Sequence, residues 1–353
     1  MADLLKASVE QKASDLHIAV GRPPVLRIHG NLVDMDYPPL KPTHTEHLIY
    51  SVLTDLQKQF FEENMELDFS LSIANISRYR VNVHYQRGTV AAAFRTIPTV
   101  IPTFEALHLP RRIMEYIARR PNGLALVTGP TGHGKSTTLA AIVDLINREK
   151  DCHIICAEDP IEYLHPHKKA LVEQREVNED TKSFSTALKF VLRQDPDVIM
   201  VGEMRDLDTI TAALTAAETG HLVFSTLHTN DVMQTVDRII DVFPPYQQQQ
   251  VRVQLAATIE AVFCQRLLPS ILGSGRELAI EILLGTDAVR SLIREGKTEQ
   301  LQTMLETSSK QGMQTMDRSL SDLVLRKRIS METARRNAKK PQEVERFVMS
   351  GGK

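Results

Sequence analysis

Residues 129–137 read Gly-Pro-Thr-Gly-His-Gly-Lys-Ser-Thr, and their spacing, G-x-x-x-x-G-K-S/T, leaves the surrounding chain few ways to fold. The preceding run Gly-Leu-Ala-Leu-Val-Thr (123–128) suits a buried strand, and Thr-Leu-Ala-Ala-Ile-Val-Asp-Leu-Ile (138–146) has helical spacing. A glycine arc between strand and helix lets successive backbone N–H groups turn inward as an anion nest, and the helix adds its positive end. Gly129, Pro130, Thr131, Gly132, His133, Gly134, Lys135, Ser136 and Thr137 would then cradle phosphates. In this arrangement the lysine reaches the β- and γ-phosphates and the Ser136 hydroxyl holds Mg²⁺. The chain reads as one that binds a nucleotide.

At 353 residues there is enough chain for two domains with separate cores. Lys and Arg number 42 against 44 Asp and Glu, a net charge of −2, so no global charge draws the protein to nucleic acid. The low aromatic content, 5%, also offers no stacking platform for single strands. No apolar run approaches the roughly 18 residues of a membrane span, and the charged, amphipathic start lacks a signal core. Both point to a protein of the cytosol with no transmembrane segment. Cys152, Cys156 and Cys264 suit buried structural thiols better than a disulfide or zinc framework.

Residues 1–98 read as a small α+β domain. Strands are expected at Asp15–Val20 and from Pro24 to Leu32, helices between Thr43 and Asn64, and a hairpin joining Tyr79–Tyr85 to Ala91–Ile97 around Gln86-Arg-Gly. Pro98, Pro102 and Pro110 mark 99–111 as a linker. Over 112–353 helix and buried strand alternate, as in a parallel α/β sheet, with strands expected at 123–128, 153–157, 197–201 and 221–226 and a helix over 181–194. From about residue 231 the chain is expected to be mostly helical, broken at Pro244-Pro245 and at Gly273-Ser-Gly275.

Three further segments supply the groups that nucleotide hydrolysis requires, each beside an expected strand end, where open α/β sheets gather their ligands. Cys156-Ala-Glu158-Asp159-Pro-Ile-Glu162 places three carboxylates in five residues, either for Mg²⁺ and its waters or as a solvated acidic turn. Asp197-Val-Ile-Met-Val-Gly-Glu203 delivers a carboxylate after a short apolar strand, where it can act on the attacking water. His221-Leu-Val-Phe-Ser-Thr-Leu-His228 flanks a strand with two histidines, each placed to bond a γ-phosphate.

Taken in order, these segments resemble the Walker A, aspartate-box, Walker B and histidine-box motifs of the secretion-ATPase superfamily of RecA-like ring motors. Within it the chain is similar to the PilT-type retraction ATPases of type IV pili. The similarity runs through Ala13-Ser-Asp-Leu-His-Ile, Gly21-Arg-Pro-Pro-Val, Phe94-Arg-Thr-Ile-Pro, Glu173-Gln-Arg-Glu-Val and Gly312-Met-Gln-Thr-Met-Asp. Ala288-Val-Arg-Ser-Leu-Ile-Arg-Glu partly matches the retraction signature AIRNLIRE, and His133 stands where serine is usual, either passively or as a pH-sensitive contact.

The resemblance implies an α/β subunit: a PAS-like N-terminal domain, then a RecA-like P-loop domain with a mostly helical C-terminal part. It implies a homohexamer that hydrolyses ATP with Mg²⁺ and acts on an inner-membrane pilus platform protein from the cytoplasmic face, with a second retraction ATPase as a further candidate partner. Glu203 would be the base, assisted by Glu158 and Glu162, with His228 and His221 as phosphate sensors. Arg78, Arg80, Arg95 or Arg205 would bring positive charge to the transition state. The chain lacks the N-terminal extension and four-cysteine zinc subdomain of assembly and type II secretion ATPases. Those ATPases, a PilU-like accessory and a non-hydrolysing nucleotide-gated ring remain the alternatives.

Overall fold

Apolar and polar side chains alternate from residue 79 to 83: Tyr79, Val81 and Val83 are buried while Arg80 is exposed, the pattern of a strand with one wet face. A computed structural model describes residues 1–351 apart from His29, Asn75, Thr99 and Ser274. Parts of the expected second strand (His29), linker (Thr99) and Gly-Ser-Gly break (Ser274) thus lie outside the described residues. Contacts divide the chain into two units, Met1–Val100 with Glu162–Leu164, and Ile101–Ile161 with His165–Lys353.

In the first unit the order is α1 (Ala2–Glu10), β1 (Asp15–Ile18), β2 (Val25–Ile28), β3 (Asn31–Asp34), α2 (Pro42–Tyr50), α3 (Asp55–Asn64), β4 (Glu66–Ile73), β5 (Ser77–Gln86) and β6 (Thr89–Ile97). The strands form one antiparallel sheet, β3-β2-β1-β6-β5-β4. Leu5, Ile49 and Phe61 of the helices share a core with Leu16, Leu26, Val81 and Phe94 of the strands. The Tyr79 hydroxyl donates to the Leu5 carbonyl at 2.8 Å, tying α1 to the middle of the sheet. The helices expected between Thr43 and Asn64 form as α2 and α3. Thr54 restarts the chain as α3 with a reciprocal capping box to Gln57, and Met65 ends it in the left-handed conformation. Strand β4 follows directly and was not foreseen.

The second unit contains α4 (Arg111–Ala118), β7 (Gly123–Thr128), α5 (Lys135–Glu149), β8 (His153–Glu158), β9 (Leu171–Glu176), α6 (Phe184–Val191), β10 (Val198–Val201), α7 (Leu207–Glu218) and β11 (Leu222–Leu227). It continues with α8 (Val232–Asp241), α9 (Pro245–Thr258), β12 (Ile259–Pro269), β13 (Arg276–Leu284), α10 (Asp287–Arg294), α11 (Leu301–Thr307), α12 (Met316–Leu325), α13 (Met331–Asn337) and α14 (Pro341–Met349). Its seven strands run in the order β13-β12-β7-β11-β10-β8-β9, all parallel except the edge strand β13. Every residue of β7, β10 and β11 is buried, as strands covered on both faces must be. The four strands expected in this unit form within one or two residues of their expected bounds. Cys156 and Cys264 are buried and Cys152 half-buried, all three as free thiols.

The expectation of a mostly helical chain beyond residue 231 needs correction. Helices fill 232–258 and the region after 287, but β12 and β13 form a long antiparallel hairpin that extends the central sheet. The apolar run from Ile259 follows α9 with no turn residue between, so periodicity alone cannot separate it from buried helix. Gly273 and Gly275, taken for a helix break, lie between these two strands. Strand β9 was likewise unforeseen.

Phe224 lies at the centre of β11 with no solvent exposure. Phe224→Ala is expected to cost about 3–5 kcal/mol, read as a lower urea midpoint for the second unit's transition.

Candidate functional site

Parallel pairing puts the carboxyl ends of β7, β11, β10 and β8 side by side along one sheet edge. The segments leaving those four ends are, in order, the glycine loop, the turn holding His228, the Gly202-Glu203 turn, and Glu158 with its acidic continuation. Four segments spread over a hundred residues thus become neighbours because a parallel sheet gathers like ends.

The loop begins at Gly129, φ +138°, where a side chain would collide with the backbone carbonyl of Gln265 on β12. It ends at Gly134, φ +82°, which is the N-cap of the 15-residue helix α5. Gly134 supplies no side-chain cap, so the first amides of α5 depend on another acceptor. A helix start at the end of a glycine arc fits a phosphate group.

Lys135 is only 8% exposed. Its Nζ donates to the carbonyls of Gly129 (2.9 Å) and Pro130 (3.1 Å), so the loop curls round its own lysine. The imidazole of His228 stands beside it, with Nδ1 at 3.4 Å from Lys135 Nζ and from Thr131 Oγ1. Nε2 of the same ring lies 3.1 Å from Glu203 Oε2. The ring therefore stands between an ammonium at Nδ1 and a carboxylate at Nε2.

Gly202 precedes Glu203, and a Cβ there would press on the Phe184 ring at 3.3 Å and the Ala157 carbonyl at 3.4 Å. Glu203 also meets Arg205 at 2.8 Å. Burial works to raise its carboxyl pKa, but the Arg205 hydrogen bond and the neighbouring His228 and Arg205 charges outweigh it and hold the pKa below the ordinary range. In this state Glu203 is a guarded carboxylate and a weak base. Glu158, at the end of β8, is buried and accepts a hydrogen bond from Gln174 Nε2 of β9 at 2.8 Å. Glu162 is exposed, four residues beyond. Ser136, Glu158 and Glu203 are oxygen donors, the chemistry that Mg²⁺ takes alongside phosphate oxygens.

The structure does not bring His221 to this edge. It precedes β11 at the opposite end, where Nδ1 meets the Ala216 carbonyl at 2.9 Å and Thr219 Oγ1 at 3.3 Å. The six residues of β11 separate it from His228 by roughly 20 Å. Its role is to finish the end of α7, and its expectation as a phosphate sensor is corrected.

Arg78, Arg80 and Arg95 share the face of the first unit's sheet opposite its helices. Arg95 stands across from Arg80 and donates to Asp15 Oδ1 at 2.9 Å. His133 is also built in: its Nδ1 accepts the Leu267 N–H at 3.0 Å, which requires a neutral ring. Burial, then the charges of Arg276, Lys135 and Arg266, push its pKa down. Sequence reasoning missed Gln265, Leu267 and Arg276, which touch the loop from β12 and β13 and carry no motif of their own.

Comparison with known proteins places these features in context. The family model described as "Type II/IV secretion system protein" matches residues 2–344. The type IV pilus retraction ATPase PilT of Pseudomonas aeruginosa is 48% identical over 342 residues, covering 97% of this chain and 99% of that protein. PilU, a type IV pilus ATPase of the same organism, is 41% identical over 348 residues, covering 99% of this chain and 91% of its own. A crystal structure of the pilus retraction motor PilT with bound ADP superposes with a TM-score of 0.91 at 49% identity, covering 98% of this chain and 99% of that one.

The Glu203 pairing has a pH signature. Its folded-state pKa lies below the ordinary 4.5, so the ionised carboxylate contributes stability above that value and loses it as pH falls through the lower one. The melting-temperature gap between wild type and Glu203→Gln should therefore be open at neutral pH and close in acid. A gap independent of pH would overturn the pairing.

Proposed function

The chain belongs to the type II/IV secretion system protein family, and on that premise we propose that it is a hexameric ATP-hydrolysing motor that powers disassembly of type IV pili. The observation that carries the proposal is one imidazole, His228, spanning the loop lysine and the strand-end glutamate. It does so in a chain that aligns with PilT over nearly the full length of both proteins.

ATP would lie along 129–137, with the Lys135 ammonium turning from the Gly129 and Pro130 carbonyls to the β- and γ-phosphates. Mg²⁺, when bound, would supply neutralisation of phosphate charge; Ser136 would hold it, with Glu158, Glu162 and Glu203 at its waters. A water oxygen attacks the γ-phosphorus while the bond to the β,γ-bridging oxygen breaks, and ADP departs with that electron pair. Glu203 takes the proton of the water. His228, hydrogen-bonded to Glu203, reports whether a γ-phosphate is present. Drawing Arg205 away from Glu203 removes its hydrogen bond and its charge, two of the influences that lower the carboxyl pKa, and so makes the carboxylate a stronger base. Arg78, Arg80 and Arg95 are the candidates for positive charge that arrives as the ring closes.

The N-terminal unit would be the PAS-like domain and the second unit the RecA-like domain of such a motor. The ring would work at the cytoplasmic face of the inner membrane, turning domain motion into release of pilin through a platform protein. No helix among the described residues is long and apolar enough to cross a membrane. An accessory PilU-like role is the second reading, supported by 41% identity to PilU.

Steady-state phosphate release by wild type, Lys135→Ala and Glu203→Gln, with mass determined on the same samples, tests the enzyme. Mg²⁺-dependent turnover in a hexamer is expected, with Glu203→Gln retaining ATP binding but losing at least about a hundredfold in rate. Wild-type turnover in Glu203→Gln would remove it as the base. A deletion strain should be hyperpiliated and non-motile; loss of surface pili would indicate assembly instead.

A further inference from the structure

Both signature glycines of the loop back onto the same residue of another strand. A side chain at Gly129 would strike the Gln265 carbonyl, and a Cβ at Gly134 would sit 3.4 Å from Gln265 Nε2. Gln265 belongs to β12, which pairs with β7 up to Thr128 and then continues alongside the loop itself. It is a polar residue only 1% exposed, in a strand whose neighbours are almost all apolar. A buried amide persists only where both ends are bonded, and here both partners lie on the phosphate-binding element. Nε2 donates to the His133 carbonyl at 2.8 Å, and Oε1 accepts from Thr138 Oγ1 in the first turn of α5 at 3.0 Å.

We propose that Gln265 is a positioning residue for nucleotide binding: its side chain bridges the loop to the first turn of α5 and sets the direction of the loop's amides. Peptide planarity couples the direction of a carbonyl to that of the next amide. In a trans peptide the C=O and the following N–H point to opposite sides. Holding the His133 carbonyl toward β12 therefore turns the Gly134 N–H away from β12, as a donor offered to an anion. One residue earlier Arg276 donates to the Gly132 carbonyl at 2.8 Å, a second hold on the loop, and there the His133 N–H donates to the Pro130 carbonyl at 3.4 Å. The Leu267 N–H bond to His133 Nδ1 fixes the side chain of the same residue. The hairpin β12–β13 thus grips the loop from behind, and Gln265 is the grip's buried centre. The inference depends on the proposed nucleotide site but not on pilus retraction.

The test is isothermal titration of the full-length protein with Mg²⁺–ADP, with melting curves on the nucleotide-free samples. Variants are Gln265→Leu, Thr138→Val, their double, and Val262→Ala, a core change in the same strand away from the loop. Gln265→Leu should bind ADP about tenfold or more weakly, while Val262→Ala, even with a comparable fall in melting temperature, binds as wild type. Thr138→Val should reproduce part of the loss and add little on top of Gln265→Leu, because the two act through one bond. Wild-type affinity in Gln265→Leu would overturn the proposal, as would a loss in Val262→Ala that tracks melting temperature in the same proportion. A wild type that binds no ADP would instead defeat the nucleotide reading of the site, and the inference with it.

Discussion

A lysine ammonium as dry as that of Lys135 cannot stand without partners, and the arrangement that supplies them organises the rest of the site. Burial of a charge is costly unless hydrogen bonds and opposite charge offset it. Lys135 takes two carbonyls of its own loop, which bends the loop, and lies beside His228, which leads to Glu203 and then to Arg205. The result is a connected chain: ammonium, imidazole, carboxylate, guanidinium. In the function proposed above, a phosphate entering the loop would compete with the two loop carbonyls for the lysine.

That chain exists because of the order of strands. With β7, β11, β10 and β8 adjacent and parallel, residues that follow each strand meet at one edge regardless of their separation in sequence. The strands can be parallel and adjacent because they are apolar on both faces, and helices cover both. The first unit obeys the other rule. Its antiparallel sheet buries one face under helices and leaves the opposite one to arginines and carboxylates.

Much of this was legible in the residues. The loop is a local object: glycines at fixed offsets supply the positive φ angles, and the helix after it supplies the dipole. Glu203 and Glu158 were legible as polar residues ending apolar strands. The two histidines were harder, because both flank the same strand; only the direction of that strand assigns His228 to the phosphate edge and His221 to the far end. The hairpin β12–β13 was misread as helix, since an apolar run entered without a turn carries no decisive period.

The sequence by itself determined the chemistry and the class of fold: a phosphate loop, a carboxylate and a histidine at strand ends, and alternating strand and helix around them. These follow from backbone conformations and periodicities that span only a few residues. What only the tertiary structure decided is which side chains reach the loop from outside it. Gln265 meets His133 and Thr138 across more than 120 residues of chain, through strand pairing that no local pattern encodes. Arg205 is held against Glu203 by the fold of one turn beside a buried edge, so its guard over the carboxylate depends on burial and distance, which a sequence does not carry.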